Sequence, residues 1–450
     1  MRVEKNSSVS AGFISLGCAK NLVDSQVMAG YLKHGGVALA PSPETADVIL
    51  VNTCAFIEAA REEAADAILE ACEYKREGGC RAVVVTGCMV QRYRERMQKA
   101  FPDVDAFLGV DELERVSEVV RQAAAGEPAG VVVARGEAHK VYTPLYPTLL
   151  FTGGPFAYLK IAEGCSHRCA YCAIPKIRGR FRSRGADELL EEARSMVAAG
   201  VKEINLIAQD SLRYGTDRKD GATLTGLLRR LDALEGEFWL RVLYGHPASV
   251  SDELLELLNG SRHVCRYLDL PVQHSHPDVL RAMNRGKAVD AILDLPQRLR
   301  QAVPGIVLRT TCLVGFPGET ETHFEHLLEY VKQAKFDHLG VFVYSPEEET
   351  AAFEMADVPE LEVAESRRER LMAAQRAIVD ERARALAGST DTALLLHRTR
   401  GAWIGRLARQ APEVDGETRV TGVPSDARPG TFVPVRVTGG NGYDLKAQVI

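Results

Sequence analysis

Short apolar runs of strand length alternate with helix-length segments in two stretches of this 450-residue chain, and that alternation commits both stretches to parallel sheets. In the first stretch Gly12-Phe-Ile-Ser-Leu, Val48-Ile-Leu-Val and Ala82-Val-Val-Val-Thr read as buried strands, with helices over Leu22–Leu32, Ala55–Tyr74 and Val90–Ala100. An interval rich in Gly and Pro, from Gly126 to Pro155, breaks the pattern and reads as an interdomain connection. From Phe156 the alternation resumes, with strands expected at Ala157–Ile161, Lys202–Ile207, Phe238–Leu243, Arg266–Leu270, Ile306–Cys312 and His338–Val343. Six βα units of this kind make a partial, open (β/α)6 barrel. Its ligands are expected at the carboxyl ends of the strands.

A charged helical stretch over Leu361–Ala387 follows, ending at Gly388 and carrying Leu371, Ile378 and Leu386 as packing positions. Beyond it the pieces Thr392–Leu396, Thr418–Val423, Phe432–Val437 and Asp444–Ile450, punctuated by Gly and Pro, predict a small antiparallel β-barrel of the OB-like kind. The expected organisation is therefore α/β throughout the first two domains, 10–130 and 150–385, with the small barrel at 386–450. A hydrophobic content of 46% is ample for three cores. The net charge of −6 and pI near 6.1 exclude a globally basic coat for nucleic acid. Met1–Ser8 lacks the apolar stretch of a leader, and no later run is long and apolar enough to span a bilayer, so a cytoplasmic location with no membrane partner is expected. Ten cysteines are too dilute for a disulfide scaffold, and a reducing compartment suits thiolate ligands.

Three of those cysteines, Cys165, Cys169 and Cys172, stand in Glu163-Gly-Cys-Ser-His-Arg-Cys-Ala-Tyr-Cys, in the loop expected after the first barrel strand. The C-x3-C-x2-C spacing places three thiolates around one iron–sulfur cluster and leaves one iron of a four-iron cluster open. Zinc is the weaker reading, because a structural zinc site needs four ligands and no second hook of matching spacing occurs, although His167 is a rival ligand. Three further cysteines end or directly follow strands of the first stretch: Cys18, Cys54 and Cys88. Parallel neighbours would bring them to one edge as a second three-thiolate site, against the plainer alternative of small buried hydrophobes. Cys72, Cys80, Cys265 and Cys312 do not share that placement and read as structural.

The segment around Cys165 resembles the radical S-adenosylmethionine (SAM) signature. The resemblance implies that the open iron chelates the amino and carboxylate groups of SAM, that Tyr171 lies near the adenine, and that one electron cleaves SAM to a 5′-deoxyadenosyl radical. Such a reagent removes hydrogen from a C–H bond that no general base can ionise. The strings Ser15-Leu-Gly-Cys-Ala-Lys-Asn-Leu-Val-Asp-Ser, Asn52-Thr-Cys-Ala-Phe-Ile and Thr86-Gly-Cys-Met-Val-Gln-Arg-Tyr resemble the N-terminal domain of the methylthiotransferase family, and the C-terminal part resembles a TRAM domain. The resemblance runs from about Gly12 to Ile450. It implies two 4Fe-4S clusters, the second held by Cys18, Cys54 and Cys88, with SAM as both methyl donor and radical source.

Within that family some members modify an adenosine of tRNA, and others add a methylthio group to the β-carbon of an aspartate on ribosomal protein uS12, the twelfth protein of the small subunit. Cys18-Ala-Lys-Asn-Leu-Val-Asp-Ser, Ile177-Arg-Gly with Ser183-Arg184, Gln410-Ala-Pro-Glu-Val-Asp-Gly and Gly442-Tyr-Asp-Leu resemble the protein-modifying branch. The departures are Ala19, where that branch usually has Pro, and Gln26, where it usually has Glu; neither is a proposed ligand. From Leu386 onward the chain carries eight basic and six acidic residues, so the barrel lacks the strong surplus expected of a tRNA grip, though RNA contact through a TRAM domain stays open. An RNA-binding or redox-sensing protein with purely structural clusters is the reading from a different class.

Arg178, Arg180, Arg182 and Arg184 alternate after the cluster loop, and an extended backbone would put all four on one side, where a substrate or SAM carboxylate could be held by bidentate hydrogen bonds. A solvated basic edge is the alternative. Gln209 with Asp210, Arg241, and Gln273 with His274 lie in or after barrel strands and are expected near the cofactor. Gly315-Phe-Pro-Gly-Glu-Thr resembles a family turn near SAM and lacks the Gly-Lys-Ser/Thr ending of a P-loop. The chemistry implied also needs an electron donor such as a flavodoxin or ferredoxin, and a sulfur source.

Overall fold

A computed structural model describes residues 9–127, 130–133, 137–142 and 151–450. Met1–Ser8, where no leader is expected from the sequence, and much of the expected connection between Gly126 and Pro155 lie outside those residues. The chain divides into two compact units. One comprises the residues up to Phe151 with Ala162–His167 and Cys172–Arg184, and the other comprises Thr152–Ile161, Arg168–Tyr171 and Gly185–Ile450.

The first unit is built on a six-stranded sheet of β1 (Ser10–Ser15), β2 (Ala38–Leu39), β3 (Val48–Thr53), β4 (Ala82–Gly87), β5 (Ala106–Leu108) and β6 (Gly130–Val132). Every pairing is parallel and the order is β2-β1-β3-β4-β5-β6. The cores of β3 and β4 are unbroken apolar runs because both faces are covered, and all twelve of their residues are buried. Helix Glu58–Arg76 buries Ala64, Ile68, Ala71 and Cys72 in the cluster that also takes Ile49, Val51, Val83 and Val85. The single helix expected over Val90–Ala100 is two short ones, Cys88–Tyr93 and Glu95–Ala100, interrupted at Arg94, whose φ of 47° is left-handed. Strands β5 and β6 are too short to register as apolar runs, and β6 extends the sheet into the segment read as a connection. A two-stranded ribbon of β8 (Ala162–Glu163) and β9 (Arg182–Ser183) belongs to this unit as well.

The second unit carries a sheet of β7 (Phe156–Lys160), β10 (Glu203–Ile207), β11 (Trp239–Val242), β12 (Val264–Asp269), β13 (Val307–Val314) and β14 (His338–Val343). All six are parallel, in the order β14-β13-β12-β11-β10-β7, with β7 and β14 as edges: an open six-unit barrel, as the alternation predicts. Helix Leu361–Leu386 leads to a closed barrel of β15 (Thr390–Thr399), β16 (Ala402–Leu407), β17 (Thr418–Thr421), β18 (Phe432–Asn441) and β19 (Asp444–Val449). Strand β16 was not foreseen, and β17 pairs with β19 in parallel, so the barrel is not purely antiparallel. Gly405 in β16 lets the two strands close up, since a Cβ there would lie 2.7 Å from the Leu394 carbonyl oxygen.

The closed barrel is fastened to the open one by buried charge. Glu203, fully buried, lies 2.5 Å from Arg406 and 2.8 Å from Arg241. Burial pushes its carboxyl up, and the two guanidinium groups outweigh burial and hold it below the usual range. Asp415 accepts from Tyr267 Oη at 2.7 Å and Arg309 Nη1 at 2.6 Å, with His338 Nδ1 at 3.1 Å. These links explain why residues expected as separate domains count as one compact unit.

Candidate metal centres

In the first unit the sheet order brings β1, β3 and β4 side by side, so Cys18, Cys54 and Cys88 follow three adjacent strand ends. The order β2-β1-β3-β4-β5 has its reversal between β1 and β3, and ligands of open parallel sheets bind at that switch point. Side chains from the first helix, Ala19–His34, stitch the strand ends together. Asn21 Nδ2 donates to the Leu16 and Thr53 carbonyls at 3.1 and 2.9 Å. Asn52 Nδ2 donates to the Asn21 carbonyl at 2.8 Å and to Ser25 Oγ at 2.9 Å, and Thr53 Oγ1 donates to the Thr86 carbonyl at 2.6 Å. Backbone crowding is as informative: a Cβ on Gly17 would sit 2.7 Å from Cys54 Cβ, and one on Gly87 would sit 2.3 Å from Asn52 Oδ1. Both glycines have positive φ, 88° and 98°.

Arg178 reaches this site from the helix Ile174–Arg178 of the same unit. Its Nη2 donates to Asn21 Oδ1 at 2.5 Å and to Cys88 Sγ at 3.2 Å, while Nη1 meets Asp24 at 2.6 Å and Glu163 at 3.3 Å. The guanidinium is 3% exposed, so removing either its charge or its partners leaves buried charge uncompensated. Burial pushes the Cys88 thiol up to about 12 despite Arg178, and burial also raises Cys54. Desolvation pushes the Cys18 thiol up too, but Lys20, the Asn21 N–H and Arg178 outweigh it and hold that thiol below its ordinary value.

The donor set fits an iron–sulfur cluster. Soft thiolates select iron–sulfur clusters and zinc among biological metals. One zinc ion at about 2.3 Å from each sulfur would draw its ligands within about 4.6 Å of one another. Among the described residues His276, Asp278 and His323 also gather three potential ligand atoms. That histidine group serves its helices instead: His276 Nδ1 accepts from the Asp278 N–H, His323 Nδ1 accepts from the Thr320 N–H, and Asp278 is paired with Arg281.

Cys165, Cys169 and Cys172 lie in the loop between β8 and helix Ile174–Arg178. Within the first unit, the Cys165 N–H donates to the Gly179 carbonyl at 3.0 Å, and Ser166 Oγ accepts from the Phe181 N–H at 3.2 Å. Gly164 and Gly179, both at positive φ, let the loop fold back, since a Cβ on Gly164 would meet the Arg180 carbonyl at 2.2 Å. Within the second unit, Arg285 Nη1 lies 3.7 Å from Cys169 Sγ and its Nη2 donates to the Pro271 carbonyl at 2.8 Å. Ala170 is locked by backbone bonds to Met283 and Ala352, and Tyr171 packs against the cluster of Val279, Met283, Leu313 and Phe316.

The remaining expected site residues divide. Gln209 follows the carboxyl end of β10, half-buried, and Asp210 beside it accepts from the His246 N–H at 3.0 Å. Gln273 follows β12 with φ 69°, and its backbone is pinned to Thr311 and Leu313, so its unusual conformation is set by the sheet. His274 is fully buried, and burial pushes its pKa down to about 3, so it is neutral. Arg241 is elsewhere: its guanidinium is committed to Glu203 and the Ala408 carbonyl, at the joint with the closed barrel.

The four arginines do not form one face, which corrects the extended-backbone expectation. Pro175 starts a helical turn, Gly179 at φ 70° ends it, and only Arg182–Ser183 is strand. Arg178 is buried on the thiols' side, Arg180 is exposed, Arg182 binds the Arg178 and Lys140 carbonyls, and Arg184 is buried. Asn21, Asn52 and Arg285 were missed. Asn21 had a signal, its place one helical turn after Cys18; Arg285 had none, being remote in sequence from Cys169.

Residues 10–109 match the model of Uncharacterized protein family UPF0004, residues 159–331 that of the Radical SAM superfamily, and residues 388–450 that of the TRAM domain. Among curated relatives, the ribosomal protein uS12 methylthiotransferase RimO of Desulforudis audaxviator is 45% identical, over 97% of this chain and 96% of its own length. The protein of the same name from Geobacter sulfurreducens is 41% identical over 99% of both, and that from Symbiobacterium thermophilum 43% identical over 97% and 90%. Among solved structures, the radical S-adenosylmethionine methyltransferase TsrM of Kitasatospora setae aligns with a TM-score of 0.56 at 15% identity, covering 74% of this chain and 73% of that one. The cobalamin-dependent radical enzyme OxsB aligns at 0.53 and 14% identity, covering 82% and 56%. At such identities the two structures speak for the fold alone.

Proposed function

The chain belongs to the family of ribosomal protein uS12 methylthiotransferases, and we propose that it adds a methylthio group to the β-carbon of an aspartate of uS12, using two 4Fe-4S clusters and SAM. It is a radical SAM enzyme and a transferase. The observation that carries the substrate is likeness of 40–45% identity along nearly the whole chain to relatives of that one name. Convergence of Cys18, Cys54 and Cys88 on adjacent strand ends supports the second cluster.

In this reading Cys165, Cys169 and Cys172 hold the cluster that takes SAM, and Cys18, Cys54 and Cys88 hold the other. When bound, the clusters and SAM supply the radical, the sulfur and the methyl group. The chain's own residues do the rest. Arg178 sets a fixed positive charge against Cys88 and donates to its sulfur, which steadies thiolate ligation. Arg285 does the same at Cys169. Tyr171 is held by apolar packing where an adenine would find a flat face, and Gln209 after β10 and Gln273 after β12, on either side of β11, offer amides to orient the cofactor. A flavodoxin- or ferredoxin-like protein delivers the electron, a separate sulfur source replenishes the sulfur, and the reaction takes place in the cytoplasm. Among the described residues no helix is long and apolar enough to cross a membrane.

The test is a pair of mass spectra from cells lacking the gene. Loss of the methylthio group from uS12 with tRNA nucleosides unchanged is the expected result; loss of a methylthioadenosine from tRNA with uS12 intact would overturn it.

A further inference from the structure

The segment from Phe336 to Ser366 contains no lysine or arginine, and within it a cluster of carboxylates and apolar side chains faces solvent. Glu349, Glu354, Asp357, Glu360 and Glu362 are all exposed and, among the described residues, none has an ion-pair partner. Phe342, Phe353, Val358, Leu361 and Val363 are exposed between them, Phe342 to 52% and Leu361 to 67%. Five of the eleven large exposed hydrophobic residues described thus fall in one short segment. Scattered apolar exposure needs no explanation, but apolar side chains gathered among unpaired carboxylates make a surface with a preference.

The surface is held in shape and lies beside the chemistry. Glu349 and Asp357 both adopt left-handed φ, 67° and 59°, at the turns of the segment. The Asp357 carbonyl is tied to the Gly318 N–H at 2.9 Å, and the Ala352 N–H donates to the carbonyl of Ala170, between Cys169 and Tyr171, at 2.8 Å. A Cβ on Gly315 would meet both Ala364 and Val343, so the start of the helix Leu361–Leu386 lies against the end of β14. Strand β14 is itself an edge of its sheet, and Phe342 in it is exposed.

We propose that this acidic, apolar-studded rim is the docking surface for a positively charged, extended segment of the protein substrate, which it delivers to the Cys169–Tyr171 end of the barrel. The proposal rests on the reading that the substrate is a ribosomal protein. Such a protein must carry clustered lysine and arginine to neutralise the phosphates around it, and those charges complement five unpaired carboxylates. A nucleic-acid substrate would be repelled from the same surface.

The experiment compares binding of purified uS12 to the full-length protein and to a neutralised variant, Glu349→Gln/Glu354→Gln/Asp357→Asn/Glu360→Gln/Glu362→Gln, by fluorescence anisotropy at low and high salt. The expected result is an affinity lowered about tenfold or more at low salt, with most of the salt dependence gone. A control, Glu62→Gln/Glu63→Gln/Glu70→Gln on the exposed face of helix Glu58–Arg76, should bind as the unaltered chain does. A second variant, Phe353→Ser/Val358→Ser, changes no charge and should weaken binding severalfold, so the proposal stays open to contradiction if the neutralised chain misfolds. Equal affinity of the unaltered chain and both variants overturns the docking surface. Failure of the unaltered chain to methylthiolate uS12 would instead overturn the function on which it rests.

Discussion

Cys165, Cys169 and Cys172 share one short loop, whereas Cys18, Cys54 and Cys88 are far apart in sequence and meet only because β1, β3 and β4 are neighbours in one sheet. The loop triad is held by turns: glycines at positive φ and main-chain bonds such as that from Cys165 to Gly179. The strand-end triad is held by a buried polar lattice of Asn21, Asn52, Thr53 and Arg178. A site written as spacing can be exposed and pliable. A site written as topology needs side chains that lock adjacent strand ends.

The largest effect should come from removing each triad in turn. Replacing Cys165, Cys169 and Cys172 with Ala abolishes both SAM cleavage and methylthio transfer, while replacing Cys18, Cys54 and Cys88 abolishes transfer and spares cleavage to 5′-deoxyadenosine. Chromatography of the SAM products under anaerobic conditions reads the difference, and cleavage lost in both folded variants would break the division of labour. Next is Arg178→Met. Leaving Asp24 and Glu163 buried without their partner should destabilise the first unit by roughly 3–5 kcal/mol, seen in denaturant unfolding. No change would mean that the lattice is dispensable.

A pair of glycine substitutions sharpens the same contrast. Gly87→Ala forces a Cβ to 2.3 Å from Asn52 Oδ1 at φ 98°, and should cost several kcal/mol, of which roughly 1–3 is backbone strain. Gly78→Ala, also at positive φ but with open space around it, should cost only about 1 kcal/mol. Equal losses would show that crowding at the strand ends is not what matters.

The smallest effect concerns Glu319, in the turn after β13. Burial pushes its carboxyl up to about 7, with Arg367 pulling the other way. Because the folded pKa lies above the unfolded value, the native state holds the proton more tightly, and stability falls as pH rises from about 4.5 through about 7. In Glu319→Gln that slope should flatten in thermal melts across the same range. An unchanged slope would assign the pH dependence to other groups.

How much of this was legible in the sequence follows from the same contrast. The βα alternation gave both parallel sheets because buried strands carry unbroken apolar runs such as Val83-Val84-Val85, which no solvent-facing strand would tolerate. Strand β16 escaped because Ala402–Leu407 is short and interrupted by Gly405 and Arg406. The alternating arginines misled, since Pro175 and Gly179 impose a helical turn where the side-chain pattern alone suggested a strand. Arg241 looked like a ligand for the cofactor because it sits on a barrel strand, but the direction of its side chain is set by Glu203 and the closed barrel, partners remote in sequence.

The most direct test is a count of iron and inorganic sulfide after anaerobic reconstitution of the unaltered chain and the two triple-cysteine variants. The account predicts that each variant keeps about half the content of the unaltered protein, one four-iron cluster in place of two. Full content in either variant, or complete loss in both, would contradict it.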